Sequence, residues 1–416
     1  MDFNDTPKEA AFRKEVVEWL DANAQKRDPK DTSAMGMFSE KESPEMIAES
    51  KAWQQKKAAA NWACITWPKD LGGRGGSLME NIIFSQEEAK YITPANIFMI
   101  GLGMAGPTIM VHGTPEQKKR WLPDMLRGDL VWCQLFSEPG AGSDLAGLRT
   151  KAVKDGDDWI INGQKVWTSG AHYSKWGILV TRSDFDAPKH KGLTYFVIDM
   201  EAPGVEIRPI KQITGGANFN EVFMTDVRIP DDQRLDAEGN GWAVALTTLM
   251  NERMSIGSGM GMGSDLLIGE LNRLAETCYV DGVLGKDSGA VRQRIAEYYT
   301  RLKSMELTVN RTLSALSQGG MPGSESAILK LAMGLLLQEV AAFAMELQGG
   351  VGAEFGDEST YAGGLWQELY LGIPAIRIAG GADEVQRNII GERLLGMPGE
   401  QRVDKGIPFK DIPTGA

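Results

Sequence analysis

Residues 134–144 of the 416-residue chain have the sequence QLFSEPGAGSD. A proline followed by two glycines forces a tight turn at the end of a strand, and the glycines let backbone N–H groups approach an anion or a flat ring closely. Ser137 and Ser143 add hydroxyl groups beside that turn. On its own, the segment is as compatible with an ordinary β-turn as with a ligand-binding loop.

Residues 162–169, NGQKVWTS, form a second candidate segment. Trp167 is followed by Thr168 and Ser169. At the end of a strand, such an aromatic ring can pack against a bound heterocycle, and the two hydroxyl groups can form hydrogen bonds to it. Taken alone, this pattern more often marks core and a turn.

Both segments lie in a region whose sequence pattern is typical of β-strands. From about Asp129 to Asp236, short runs rich in β-branched and aromatic residues alternate with hairpin signals such as Asn162-Gly163. Strands at this spacing predict a sandwich or barrel.

Helical texture flanks the β region on both sides. Thr114, with Pro115 next to it and Gln117 three places on, is a helix-start signature. The apolar spacing predicts helices over residues 9–20, 44–61, 78–92, 95–110 and 115–127, and again over 241–277, 288–317, 323–347, 363–370 and 382–395.

The order α, then β, then α predicts an α+β fold of three domains. Residues 1–128 form the predicted N-terminal α-helical domain, 129–238 the middle β-domain and 239–400 the C-terminal helical domain, followed by a tail over 401–416. Residues 325–347 are apolar on most faces, which predicts burial in a bundle or at a subunit interface.

Composition excludes several classes of function. The chain carries 44 Lys and Arg against 56 Asp and Glu, a net charge of −12, and nucleic acid is not an expected partner because phosphate binding needs a positive field. Three scattered cysteines and three histidines predict no disulfide framework, no metal site and a reducing, cytoplasmic location. No uninterrupted apolar run of membrane-spanning length is present, so no membrane partner is expected.

Together, the two segments resemble the acyl-CoA dehydrogenase family, the FAD-dependent enzymes that introduce a trans-2,3 double bond into acyl-CoA thioesters. The resemblance covers nearly the whole chain, in order and at family spacing. It implies FAD as the cofactor and a fold with an N-terminal helical domain, a middle β-barrel or sandwich and a C-terminal four-helix bundle. The further matching segments are Pro203–Val205, Phe219–Phe223, Asp226–Pro230, Gly239–Trp242, Gly380–Ile390 and Glu392–Gly396.

The resemblance assigns cofactor-binding roles to matching positions. Ser143, next to Gly142, would sit where the flavin phosphate and the CoA arm meet. Family members usually bind the adenine and pyrophosphate half of FAD across a subunit contact. The positions that would line or cover the flavin ring are Gln134, Phe136, Ser137, Trp167, Thr168 and Ser169, and those that match the other half are Glu346, Gly349, Gly350, Ala382 and Glu384.

The reaction needs a desolvated carboxylate that removes the α-proton while hydride leaves the β-carbon for flavin N5. Many family members hold this glutamate in the loop before the last helix, where this chain has Gly380. A minority carry it on the first bundle helix, directly before an arginine, as in Glu252-Arg253 here. The resemblance therefore implies Glu252 as the base, with a structural ion pair to Arg253 or to another neighbour as the alternative. It also implies that Ser143, Arg253 and the Gly380 loop contact the substrate.

One departure concerns an arginine that in the family reaches the partner's FAD phosphate. Residues 278–285 contain no arginine. Arg292 is a candidate replacement, equally compatible with a solvated helix charge, and a different subunit is another source of the contact.

The expected activity is α,β-dehydrogenation of an acyl-CoA in acyl-CoA catabolism. The alternatives are a non-catalytic or half-site subunit of a heteromeric acyl-CoA dehydrogenase, and an acyl-CoA oxidase on the same fold. The family's usual electron acceptor is electron-transferring flavoprotein, and a homodimer or homotetramer is expected, with a heteromer left open. Straight, branched, aromatic and steroid-like acyl groups all remain open.

Overall fold

The computed structural model describes residues 4–28, 31, 42–259, 264–317, 326–354 and 360–413. Within helices, the side chains of residues 253–259, 264 and 315–317 lie outside that description. Arg253, a predicted substrate contact, is therefore placed only by its backbone.

The N-terminal part is helical, as the sequence predicts. The capping box at Thr114 is present: its hydroxyl accepts from the backbone N–H of Gln117, whose side chain accepts from the backbone N–H of Thr114. A two-stranded ribbon also lies here, formed by β1 (Gln25–Lys26) and β2 (Tyr91–Ile92). The helices are α1 (Pro7–Asn23), α2 (Pro44–Ala59), α3 (Leu78–Glu88), α4 (Gly106–His112) and α5 (Pro115–Arg127).

The single helix predicted over residues 95–110 is wrong in detail. The structure has a π-helical turn at Gly101–Ala105, followed directly by α4. Glycines weaken the helix here, and one of them allows close packing, since a Cβ on Gly106 would lie 2.3 Å from the ring of Trp67. The π turn and α4 both pack against the helix that carries Glu252.

The middle part is one mixed sheet of eight strands. In spatial order the main path is β10-β7-β6-β4-β5-β9-β8, and β3 pairs parallel to β6. The strands are β3 (Trp132–Leu135), β4 (Lys151–Asp155), β5 (Asp158–Ser169), β6 (Trp176–Arg182), β7 (Leu193–Asp199), β8 (Val205–Ile210), β9 (Phe219–Pro230) and β10 (Arg234–Leu235).

Alternation along the strands gives the sheet two buried faces. Leu179 of β6 and Val222 of β9 meet in one core, so the two halves of the sheet curl toward each other. On the opposite face, Ile178 and Val180 of β6 pack against the helices. The sheet therefore fixes the helical parts in position around it.

The C-terminal part is helical. The 241–277 segment, predicted as one helix, contains two, with residues 260–263 between them outside the described part. Helices α7 to α10 share one hydrophobic core around Trp366. The elements are α6 (Gly241–Gly259), α7 (Ser264–Ala275), β11 (Tyr279–Val280), β12 (Val283–Leu284), α8 (Gly289–Ser317), α9 (Ser326–Gln348), α10 (Leu365–Ile376) and α11 (Asp383–Ile389).

Helix α9, with the short turn after it, is apolar enough to cross a membrane by length and composition alone. An 18-residue window within residues 326–353 has a mean hydropathy of 1.7, and 39% of that window is buried inside the molecule. A helix at the centre of a globular core has the same composition. In this chain the inner face of α9, including Leu336, Val340 and Ala344, lies in the core shared with α7, α8 and α10.

Candidate functional site

Helix α6 is fixed directly on strand β7. A Cβ on Gly241 would stand 2.7 Å from the backbone of Thr194, so this close approach requires glycine. Farther along, the hydroxyl of Thr248 lies 2.9 Å from those of Thr108 and Tyr195. These buried hydrogen bonds set the rotation of the helix against the sheet.

Glu252 lies one turn beyond Thr248 and is half-buried. Its Oε2 accepts a hydrogen bond of 3.0 Å from Nε2 of Gln134 on β3. The Oε1 of Gln134 is buried and has no partner within the described ranges. Burial raises the pKa of nearby Tyr195 well above its usual value, and the Glu252 charge adds to that rise. The predicted base thus lies against the sheet, beside a buried acceptor that a ligand would satisfy.

A buried ion pair holds the 136–143 loop in place. The Lys165 ammonium donates to the carbonyl of Phe136 and to Oε1 of Glu138, both at 2.9 Å. Glu138 also accepts from the backbone N–H groups of Arg149 and Thr150. Burial alone would raise the pKa of Glu138, but the Lys165 charge and these hydrogen bonds hold it below its usual value. The hydrogen bonds from the Lys165 ammonium therefore hold the loop against β5.

The end of β5 presents an aromatic ring beside this loop. Val166 N–H donates to the carbonyl of Ser137 at 2.9 Å, which brings the two predicted segments together. Trp167 has φ +61° at an irregularity in the β5–β9 pairing, and 59% of it is exposed. A bulky residue in this backbone region is strained. The next hydroxyl, that of Thr168, is buried and has no partner among the described residues.

These residues fit the flavin part of FAD. An exposed indole, a buried hydroxyl and the buried Gln134 oxygen offer stacking and hydrogen bonds to a flat heteroaromatic ring. The glycine loop is open: a Cβ on Gly140 or Gly142 would meet nothing within 4 Å. Phe136 is buried edge-on to Tyr195, whereas Ser137 and Ser169 are partly accessible and Ser143 is exposed.

The remaining predicted positions lie on the C-terminal helices. Arg292 and Glu346 are exposed on α8 and α9, and Gly349 and Gly350 are exposed after α9. Within the described part of this one chain, no hydrogen bond or ion pair joins these four to the loop and strand end of the middle domain. Their exposure leaves them accessible to a second chain.

The segment before α11 is ordered by its own contacts. Gly380 has φ +66° and its carbonyl accepts from Gln386. Asp383, in the first turn of α11, is buried and ion-paired with Arg377. Ala382 is the N-cap residue of α11 and is partly buried, while Glu384 is exposed. These residues remain predicted contacts.

Two features of the candidate site are not predicted from the sequence, the Lys165–Glu138 pair and Tyr195. The Lys165–Glu138 pair falls inside the quoted segments. The signal that could have found it is the position of Lys165, which alternates in step with the buried Trp159 and Ile161 of β5, since a buried charge must be paired. Tyr195 gives no such signal, because tyrosine is common in strands. Across the residues that the structure describes, no group of three or more His, Cys, Asp or Glu could hold a metal ion.

Family models match each of the three parts in turn. The acyl-CoA dehydrogenase N-terminal domain matches residues 6–129, the middle domain 133–227 and the C-terminal domain 239–395. The chain belongs to the acyl-CoA dehydrogenase family, and it is a flavoprotein oxidoreductase that uses FAD. The family and fold predicted from the sequence are thereby confirmed.

Two relatives are similar over most of their own length. The acyl-CoA dehydrogenase IpdE1 of Mycobacterium tuberculosis is 40% identical over 86% of this chain and 90% of its own. IpdE1 of Mycolicibacterium smegmatis is 38% identical over 94% of this chain and 98% of its own.

Two solved structures share the fold at somewhat lower identity. The Tcur3481-Tcur3483 steroid ACAD has a TM-score of 0.79 and 27% identity, covering 96% of this chain and 100% of that one. The ChsE4-ChsE5 complex from Mycobacterium tuberculosis has a TM-score of 0.78 and 28% identity, with the same coverage.

Proposed function

We propose that this enzyme oxidises an acyl-CoA thioester to the trans-2-enoyl-CoA, with Glu252 as the base that takes the α-proton. The observation that carries the proposal is the hydrogen bond from Gln134 to Glu252. It joins the carboxylate to the strand that leads into the flavin-side loop. An α-proton acceptor must lie beside the flavin, because proton and hydride leave adjacent carbons.

The flavin ring is proposed to lie between the 136–143 loop and the end of β5. Bound FAD supplies the hydride acceptor, N5. Trp167 would cover one side of the ring, and the hydroxyl of Thr168 and Oε1 of Gln134 would gain the partners that they lack in the described residues. Phe136, Ser137 and Ser169 would complete the lining, with Gly142 and Ser143 at its open edge.

The Gly380 position supports the choice of Glu252. Its φ of +66° lies in the left-handed region, where a glutamate would be strained at a cost of about 1–2 kcal/mol. A loop shaped for glycine is poorly suited to hold the base there. Its role is instead to offer a backbone N–H to the thioester carbonyl, an interaction that stabilises the charge that develops as the proton leaves.

A second chain is proposed to complete the adenine and pyrophosphate half of the FAD site. The exposed Arg292, Glu346, Gly349 and Gly350 would contact it, together with Ala382 and Glu384. Two similar structures are described as paired chains, Tcur3481-Tcur3483 and ChsE4-ChsE5, which supports a heteromer beside the homodimer and homotetramer. A carboxylate held on Gln134 favours the catalytic chain of such a pair over the non-catalytic one.

The substrate is proposed to be a bulky, steroid-like acyl-CoA, because a similar structure is described as a steroid ACAD. Anaerobic titration of the FAD-loaded enzyme with straight-chain, branched, aromatic and steroid-like acyl-CoAs should bleach the flavin, most strongly with the steroid-like ester. Electron-transferring flavoprotein should then reoxidise the flavin faster than air does. Fast reoxidation by air would favour an oxidase, and no bleaching by any ester would contradict the proposed activity.

Gln134→Leu tests the contact to the base. Loss of the donated hydrogen bond removes stabilisation of the carboxylate, so a higher pH is needed to ionise it. The acidic limb of the rate of flavin reduction against pH should move up by about one pH unit. Gln164→Leu is the matched control, since Gln164 donates to Glu221 at 2.8 Å on the same sheet and should leave the profile unchanged. An unmoved profile in Gln134→Leu would show that this amide does not act on the base.

A further inference from the structure

The C-terminal tail folds back onto the middle domain. Phe409 is 2% exposed, and the Arg182 guanidinium lies 3.4 Å from its ring centroid. The backbone N–H groups of Phe409 and Lys410 donate to the carbonyls of Ala187 and Phe185. The tail is therefore anchored along the loop between β6 and β7.

The anchored tail and this loop line a cavity of about 440 Å³ that is open to solvent on one side. Lys189 lies at its base and is 9% exposed, and its ammonium contacts the carboxylates of Asp144 and Asp404. Lys189 therefore supplies the counter-charge of Asp404. It also links the tail to Asp144, the residue after Ser143. The residues that line the cavity are Pro188, Lys189, His190, Glu400, Arg402, Asp404, Lys405 and Gly406.

Two cations on the rim have no such partner. Arg402 and Lys405 are exposed, and neither has an ion pair or hydrogen bond to any residue that the structure describes. Burial, reinforced by the charges of Lys189 and Arg402, lowers the pKa of His190 and favours its neutral form. The rim thus offers an anion two cations that hold no ion pair within the described part of the chain and an imidazole N–H, beside the Glu400 carboxylate that also lines the cavity.

The position of the cavity relates it to the proposed site. The His190 ring packs edge-on against Trp242 at a centroid distance of 4.9 Å. Trp242 lies in the first turn of α6, ten residues before Glu252, which corresponds to about 15 Å along a helix. The extended pantetheine arm of CoA has a length of that order. It joins the thiol to the diphosphate, and the 3′-phosphate is on the ribose of the nucleotide beyond it.

We propose that Arg402 and Lys405 of the C-terminal tail bind the phosphate groups of the CoA nucleotide in this cavity. The inference rests on the proposed acyl-CoA activity and deepens it, since it assigns a substrate-binding role to the tail. The tail gives the enzyme a means to hold the CoA end of any thioester, whatever the acyl group at the other end.

The test measures binding of coenzyme A, 3′-dephospho-CoA and pantetheine to the FAD-loaded enzyme by titration calorimetry. The Arg402→Ala/Lys405→Ala variant should weaken coenzyme A binding by roughly tenfold or more and flatten its salt dependence. Pantetheine binding should not change. If the 3′-phosphate is the group held, the variant should also lose the difference between coenzyme A and 3′-dephospho-CoA. If the diphosphate is held, both nucleotides should weaken equally.

Lys410→Ala is the control, because Lys410 lies on the same tail but pairs with Asp186 outside the cavity. It should bind all three probes as the unaltered enzyme does. Wild-type affinity for coenzyme A in the double variant, or equal affinity of the unaltered enzyme for coenzyme A and pantetheine, would overturn the proposal. Failure of the dehydrogenase assignment would appear separately, as the absence of flavin bleaching by acyl-CoAs.

Discussion

Replacing Glu252 with glutamine should leave a yellow, FAD-loaded protein whose flavin is reduced by acyl-CoA more than about a hundredfold more slowly, since general-base catalysis contributes about 10² to 10⁴ in rate. Glutamine has nearly the same shape and keeps an oxygen that can accept from Gln134. The fold and the cofactor site should therefore be preserved. What is lost is the ability to take a proton.

The measurement is the single-turnover rate of flavin bleaching, recorded without oxygen. Glu276→Gln is a suitable control, because Glu276 is an exposed carboxylate on the same helical domain and should leave the rate unchanged. Unchanged affinity for coenzyme A in Glu252→Gln would separate loss of chemistry from loss of binding. A rate near that of the unaltered enzyme would show that another group takes the proton.

The local signals in the sequence predict much of the fold. The capping box at Thr114 sets the start of α5, and the apolar face of Phe12, Val16 and Leu20 is the buried face of α1. These features depend on neighbours a few residues away, so periodicity and capping rules reach them.

The sequence is less informative where distant segments meet. Helix α6 packs against the π turn at Gly101–Ala105, and Trp67 packs against Gly106 directly after it. A helical spacing of apolar residues does not predict contacts between such distant segments. In the candidate site, Gln134 and Glu252 are 118 positions apart. The resemblance implies that Gln134 contacts the flavin and that Glu252 takes the proton. It does not predict the hydrogen bond between the two side chains, which only the folded structure shows.

The Lys165–Glu138 pair also joins two segments that are distant in the sequence. Of the substitutions proposed here, the loss of this pair should lower the free energy of unfolding most. Lys165→Met should lower the free energy of unfolding by about 3–5 kcal/mol, because it leaves a buried carboxylate without its counter-charge. The side chains of Lys165 and Glu138 are 0% and 9% exposed, so water cannot replace the missing ammonium. The carbonyl of Phe136 also loses its donor, and the 136–143 loop should hold FAD less tightly.

Urea unfolding and the fraction of FAD retained after gel filtration measure the two effects. The double variant Lys165→Met/Glu138→Gln should recover part of the stability, because the uncompensated charge is gone. Lys14→Met is the control, since Lys14 pairs with Glu18 at 3.8 Å on the surface and such pairs contribute about 0–1 kcal/mol. Equal losses in Lys14→Met and Lys165→Met would contradict a role for burial.

The Lys165–Glu138 pair also determines how the free energy of unfolding should change with pH. The folded state holds the pKa of Glu138 below its usual value, so the folded chain binds the proton less readily than the unfolded chain does. The stabilisation is present above the unfolded pKa of about 4.3 and is lost as the pH falls through the folded pKa. The stability difference between the unaltered enzyme and the double variant should therefore shrink on acidification below about pH 4. A difference that stays constant down to pH 3 would assign the loop's stability to packing instead of to this charge pair.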